Sequence, residues 1–313
     1  MTGGAPSAAP LRIAAFNVRN YFMTLGSRGA SNHAERLRQR KRIVDVLHAL
    51  DADVLALIEM ENDPRALDDL RRALNQRVRE RAQSYAQTPD PPDGVGADVI
   101  RVALLHRTAR VRPIGDARSD RDVVHRVRQP MGQVYAVRDR GAEVAHADDA
   151  DDAALRIGVV TAHFKSKRCL NAHGIQVDRG DGQGCWNPLR TSQALRALRL
   201  LRLLCEDAGT DHGLVIGDLN AYPGEDPIRV LERGGLCDLL AAHVPIDERH
   251  SYDHRGRRGY LDHALATKAL AARVTTAAFW RPSIAMMATL PPSDHDPVTV
   301  VVDAAGDGGN DSD

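Results

Sequence analysis

The run Leu214-Val215-Ile216-Gly217-Asp218-Leu219-Asn220 decides how this chain is read. A short uncharged stretch ends on a carboxylate, with an amide two residues later. Continuous apolar character over so few residues suits a strand covered on both faces. Polar groups at the end of such a strand have the rigid support on which sites are built. Taken alone, Asp218 reads equally well as a turn residue or a helix N-cap.

The same pattern recurs along the chain. Leu11–Asn17 ends on Asn17, and Val54–Met60 (VLALIEM) carries Glu59 at its end. A carboxylate closing an apolar strand needs an ionic partner or a metal. Leu155–His163 ends on His163, with Lys165 and Lys167 just beyond. Asp262 and His263 lie within GYLDHALAT, and Asp294, His295 and Asp296 precede PVTVVV. Further strands are expected at Val99–His106, Met131–Val137, Tyr260–Thr267, Val274–Trp280 and Val298–Val302.

Helical periodicity falls between these strands. It covers Ala34–Leu50 (Ile43, Val44, Leu47 and Leu50 on one face), a segment from Pro64 through Val78, Thr191–Ala208, and Pro227–Glu232. Short, partly alternating strands interleaved with helices predict an α/β fold of two packed sheets flanked by helices. Residues 1–10 read as a flexible N-terminus, 11–303 as one catalytic domain, and 304–313 as an acidic, disordered tail. Asp139–Asp152 reads as a solvated acidic loop, and Phe164–Leu189 as a long functional loop.

Composition sets the outer limits. The 42 Lys+Arg and 42 Asp+Glu residues cancel, which excludes binding to nucleic acid by bulk charge alone. Basic clusters survive locally, as at Lys165–Arg179. At 43% hydrophobic the chain can build a sizeable core. It has no stretch of about eighteen apolar residues that would span a membrane. Aromatic residues, at 4%, are too few for a base-stacking platform. The N-terminal MTGGAPSAAP lacks the charged and apolar regions of a signal peptide. The protein is therefore cytoplasmic, or a leader was trimmed before this numbering.

The four cysteines, Cys169, Cys185, Cys205 and Cys237, have no zinc-type spacing. Cys169 and Cys185 flank a Gly/Asp-rich loop, and a bridge there would contribute roughly 3 kcal/mol in the chain-entropy model. Two free thiols in a cytoplasmic enzyme are the alternative. Carboxylates gathered with an Asn and two His, without Cys, suit a hard cation such as Mg²⁺. An Asp beside a His fixes its tautomer and supports the imidazolium. Together they are equipment for water attack on phosphorus.

AAFNVRNYF, LALIEMEND, VVTAHFKSK, VIGDLNAYPGEDPI, YLDHALA and SDHDPV, in this order, resemble the motifs of the endonuclease/exonuclease/phosphatase superfamily. That superfamily includes deoxyribonuclease I, abasic endonucleases, inositol polyphosphate 5-phosphatases and sphingomyelinases. NYF, the Arg28–Ala30 RGA and DGQGCWN are similar to secreted bacterial extracellular nucleases, which degrade DNA with Mg²⁺, Mn²⁺ or Ca²⁺. The resemblance implies a four-layered α/β sandwich, with Glu59 as the main metal ligand and Asn17 and Asp294 beside it. It implies His295 as general base held by Asp262, His163 on the leaving oxygen or the phosphate, and Asp218 and Asn220 orienting nucleophile and phosphate. Whether His295 or Asp218 takes the proton stays open.

Lys165 and Lys167 are expected on flanking phosphates, and Asp98 as the acidic partner of His163. A Cys169–Cys185 disulfide fits the secreted or periplasmic setting of such enzymes. The expected partner is DNA, with RNA as a second candidate, and the expected state is a monomer without stable membrane association. A phosphoinositide or sphingomyelin esterase is the alternative on this fold. A non-catalytic binding or adhesion module would have lost a catalytic carboxylate or His, and every expected position is filled.

Overall fold

A computed structural model describes residues 9–80, 83–120, 127–138, 155–254, 256–281 and 293–305. The expected acidic loop at 139–152, and most of the expected flexible N-terminus and acidic tail, lie outside these residues. Along the chain run β1 (Leu11–Tyr21), α1 (His33–Leu50), β2 (Val54–Glu61), α2 (Pro64–Asn75), β3 (Tyr85–Gln87), β4 (Ile100–Arg107), β5 (Val111–Ser119), β6 (Met131–Val137) and β7 (Arg156–His163). Then follow α3 (Asn187–Asp207), β8 (Gly213–Asp218), α4 (Asp226–Arg233), β9 (Leu236–Asp238), α5 (Leu239–His243), β10 (Tyr252–His254), β11 (Arg257–Gly259), β12 (Asp262–Thr267), α6 (Lys268–Arg273), β13 (Val274–Phe279) and β14 (Val298–Val302).

Two six-stranded sheets form, in the orders β13-β14-β1-β2-β4-β3 and β5-β6-β7-β8-β12-β9. Alternation along each central strand assigns its two faces. Ile13, Ala15, Val54, Ala56, Val102 and Leu104 pack between the sheets with Tyr135, Val159, Leu214 and Ile216. The intervening Ala14, Phe16, Leu55 and Leu57 meet Ile43, Leu47, Leu67 and Leu70 of α1 and α2. Val160 and Val215 likewise meet Leu198, Leu201 and Ile228 of α3 and α4. Both faces of these strands are therefore buried, which explains their unbroken apolar runs. The result is helix, sheet, sheet, helix: the expected four-layered sandwich.

Several elements were not legible in the pattern. β5 (VRPIGDARS) carries Pro113 and little alternation, tolerable because β5 is an edge strand. β3 and β9 to β11 span three residues each, too short for a period to show. α2 ends at Asn75 rather than Val78, and α3 begins at Asn187, inside the expected loop.

Pairing direction places the chemistry. β1 and β2 run parallel at the centre of one sheet, and β7 and β8 run parallel at the centre of the other. His163 and Asp218 end β7 and β8, Glu59 lies near the end of β2, and Asn17 stands where the regular β1–β2 ladder breaks, although β1 itself runs on to Tyr21. Antiparallel β12 brings its first residue, Asp262, level with Asp218. In open α/β sheets ligands bind beyond the carboxyl ends of strands, and these ends meet at one end of the sandwich.

Candidate active site

Register sets the first row of the site. His163 is level with Asp218, and Asp218 with Asp262, across three neighbouring strands. The close packing of β7 on β8 requires glycine at 217, where φ is +145° and a Cβ would lie 2.2 Å from the Ala162 carbonyl oxygen. In the facing sheet, the β1–β2 register shifts between Asn17 and Tyr21. At that bulge Arg19, Asn20 and Glu59 all have positive φ, at +56°, +53° and +64°. Bulges re-aim side chains, and the Asn20 N–H donates to Glu59 Oε2 at 3.0 Å.

The two rows meet on Asp218. Asn17 Nδ2 donates to Asp218 Oδ2 at 3.1 Å across the sheets, while Asn17 Oδ1 accepts the Arg19 N–H. His163 Nε2 lies 3.4 Å from Asp218 Oδ2 and 3.8 Å from Glu59 Oε1. His295 Nδ1 is 2.7 Å from Asp262 Oδ2, and its Nε2 is 4.0 Å from Asp218 Oδ2. Asn220, at φ +47°, donates its backbone N–H to Asp218 Oδ1 and its Nδ2 to the Phe164 carbonyl. It ties the end of β8 to the chain leaving β7.

Electrostatics here are unresolved by local pairing. Burial raises the Asp218 carboxyl to about 7; Asp262 and Glu59 add to this, and His295 opposes it. Burial opposes the charged form of His295, but Asp262 and Asp218 outweigh it and hold the imidazole up to about 10. His163 is held well below its ordinary value by burial, then by Arg128 and His295. Among the described residues, Glu59, His163 and Asp218 form one group able to hold a metal, and Asp218, Asp262 and His295 another. Within the first group, Glu59 and Asp218 have no Lys or Arg ion pair among the described residues. His163 Nδ1 and Asn20 Oδ1 are buried without a hydrogen-bond partner. Hard oxygen donors with an imidazole and no nearby thiol fit a hard divalent cation.

The remaining expected residues fall around this centre. Asp294 stands outside both groups, half exposed, with Oδ1 3.8 Å from Arg19 Nε. The chain bends at Asp294, with the His295 N–H donating to Ser293 Oγ, and only His295 faces Asp262. Asp98 faces Arg128 at 3.9 Å, not His163. Lys167 forms an ion pair with Glu225 and lies over the Tyr222 ring, which ties its charge down locally. Lys165 lies over Trp186, 4.9 Å from the ring centroid, and remains the freer cation of the two. His263 is fully buried, with Nε2 on the Ala221 carbonyl, and plays a packing role.

Cys169 and Cys185 are bridged, while Cys205 and Cys237 are free. Buried Arg190 fastens the same loop by donating to the carbonyls of Cys185, Gln183 and Lys165.

Two contributors carry no local signal in the sequence. Arg128, in an Arg-rich stretch, donates Nε to the His163 carbonyl at 3.2 Å. Ser251 donates to Asp262 at 2.7 Å. Neither sits at the end of an apolar run, which was the signal that found the others.

Residues 14–295 match the model of the endonuclease/exonuclease/phosphatase family, and the chain belongs to that family. Its members are phosphate-ester hydrolases that typically use divalent metals. No curated protein matches the chain in sequence. The fold is shared with the human Nocturnin catalytic domain solved with a bound sulfate anion (17% identity, TM-score 0.56, 93% of each chain covered). It is shared with a mannosyl-6-phosphatase of Bacteroides thetaiotaomicron (15%, 0.60, 93% of this chain and 99% of that one). It is also shared with D. rerio TDP2 complexed with a single-strand DNA product (15%, 0.55, 94% and 98%).

Proposed function

We propose that this protein is a divalent-metal-dependent phosphodiesterase, a nuclease acting on DNA with RNA as a second substrate class. The observation that carries this reading is the convergence of two titratable groups on one buried carboxylate, Asp218. Glu59, with Asp218 beside it, would hold the cation, Mg²⁺ first and Mn²⁺ or Ca²⁺ as alternatives. Asn17 would complete the set, while Asp294, half exposed and facing Arg19, stands outside it. Bound there, the cation supplies charge neutralisation at the phosphoryl group.

The chain's own residues do the rest. Asp262 holds the Nδ1–H of His295, so Nε2 faces Asp218 and the space where a water would attack. With a cation beside Asp218 offsetting one of the two carboxylates that raise it, His295 takes, as the neutral imidazole, the proton from that water. Asp218 and Asn17 orient it. His163, uncharged in its buried setting, donates a hydrogen bond to the phosphate or the leaving oxygen. Lys165 and Arg128 supply positive charge on the flank, and Lys167 braces the loop through Glu225. A secreted or periplasmic setting agrees with the disulfide.

The test is a substrate panel of plasmid DNA, oligonucleotides, RNA, inositol phosphates, sphingomyelin and sugar phosphates, with Mg²⁺, Mn²⁺, Ca²⁺ or EDTA. Metal-dependent DNA cleavage that is abolished by EDTA and by Glu59→Ala is the expected result. Turnover of another phosphate ester with none of nucleic acid would reassign the substrate. Undiminished cleavage by Glu59→Ala would remove that residue from the mechanism.

A further inference from the structure

The segment entering the β10–β11 hairpin closes over the Asp262–His295 pair from outside the strands that carry it. Ser251 is buried and wholly committed. Its N–H donates to the Gly259 carbonyl, and its carbonyl accepts the Asp296 N–H, which ties the hairpin to the segment bearing His295. Its Oγ accepts from the backbone N–H groups of Leu261 and Asp262, at 3.2 and 3.3 Å. With its lone pairs so engaged, the hydroxyl donates its proton to Asp262 Oδ2 at 2.7 Å. That is the same oxygen that takes His295 Nδ1, also at 2.7 Å. The next residue, Tyr252, bridges to His295 through the backbone and lays its ring 4.9 Å from the imidazole centroid.

We infer that Ser251 is a positioning residue for the Asp262–His295 pair, its hydroxyl fixing the carboxylate rotamer that aims His295 Nε2 at Asp218, with Tyr252 as the backstop of the imidazole. A carboxylate accepting a single hydrogen bond can swing about its terminal torsion, which is broad. A second donor on the same oxygen, itself pinned by two backbone N–H groups, removes that freedom. Partners one step behind a reacting imidazole set its tautomer and aim in this way. No step of the proposed hydrolysis requires Ser251 to touch substrate. The inference rests on the reading of His295 as the base, and its test is built to separate the two.

Ser251→Ala is expected to lower kcat on bis(p-nitrophenyl) phosphate by about 10- to 100-fold with KM unchanged. Ser251→Thr, which keeps the hydroxyl, should recover most of that loss. In a His295→Ala background, Ser251→Ala should cost nothing further, because it acts through the imidazole. An equal loss in both backgrounds would overturn the assignment. The second readout is independent of turnover: the downfield proton resonance of the His295 Nδ1–H, assigned by its absence in His295→Ala. It should move or vanish in Ser251→Ala and persist in Ser251→Thr. An unmoved resonance in a folded Ser251→Ala protein overturns the positioning role even if activity falls. Should the wild type hydrolyse no phosphate ester, the enzymatic reading fails, and the resonance alone decides the role of Ser251.

Discussion

The two ends of strand β2 carry opposite solutions to the same problem. At its start Asp53 is buried with its charge compensated: Arg107 Nη1 lies 3.6 Å and Arg110 Nε 3.4 Å from Oδ1, and the Arg12 N–H donates to Oδ2. Arg107 also pairs with Asp51 and covers the Tyr85 ring. At its other end Glu59 meets Asp218, with Asp262 behind, and the nearest titratable partners are two histidines. One end is neutralised by guanidinium groups that stay charged at any ordinary pH. The other leaves carboxylates facing one another, a cost that packing alone would not retain. Departures from local consistency of this kind mark functional sites, and an equally polar but charge-paired cluster marks a structural one.

That contrast is broken most directly by exchanging the readouts. His295→Ala should lower phosphodiester hydrolysis per folded molecule by about 10²–10⁴-fold. Asp53→Ala should act on stability instead. It should cost about 3–5 kcal/mol in chemical denaturation, since it strands buried guanidinium groups, with activity per folded molecule retained. Loss of activity without loss of stability in Asp53→Ala would erase the distinction between the ends.

A smaller effect concerns how the end of the sandwich carrying the candidate site is held. Its long loop is fastened covalently by Cys169–Cys185 and by buried Arg190, not by surface ion pairs. Cys169→Ser should lower stability by up to about 3 kcal/mol, read as a drop in unfolding midpoint that reducing agent reproduces in the wild type. A wild type insensitive to reductant would show the bridge to be dispensable.

The smallest effect is in pH, and the two ends should respond with opposite signs. Asp218, raised to about 7, makes the folded chain bind more protons than the unfolded one between about 4 and 7. Its stability contribution is present below that window and is lost as pH rises through it. His106 lies opposite Val54, near the Asp53 end, and burial lowers its pKa from 6.5 to about 4. Its contribution is present above about 6.5 and is lost as pH falls toward 4. In EDTA, Asp218→Asn should flatten the decline on the neutral side, and His106→Gln the decline on the acidic side. Each change should be on the order of 2 kcal/mol, followed by urea unfolding at several pH values. A slope unaltered by Asp218→Asn would assign the neutral-side change elsewhere.

Much of this was readable from residues alone. Unbroken apolar runs announced strands covered on both faces, and the polar residues closing such runs, Asn17, Glu59, His163 and Asp218, announced the candidate site, where Asp262 joins them from the start of its own strand. Those signals are legible because side-chain period and strand length are local properties of the chain. The refinements were not local. Asn17 and Asp218 hydrogen-bond across 201 residues. Arg128 under the His163 carbonyl, Ser251 behind Asp262, and Asp98 turned toward Arg128 depend equally on how distant segments pack. Lys165 and Lys167 look alike in sequence, and only the presence of Glu225 beside one of them separates their tasks. The pattern of residues determined which side chains stand at strand ends. Sheet register and the meeting of the two sheets decided which of them share one buried carboxylate, because burial and charge are summed over neighbours that only the fold supplies.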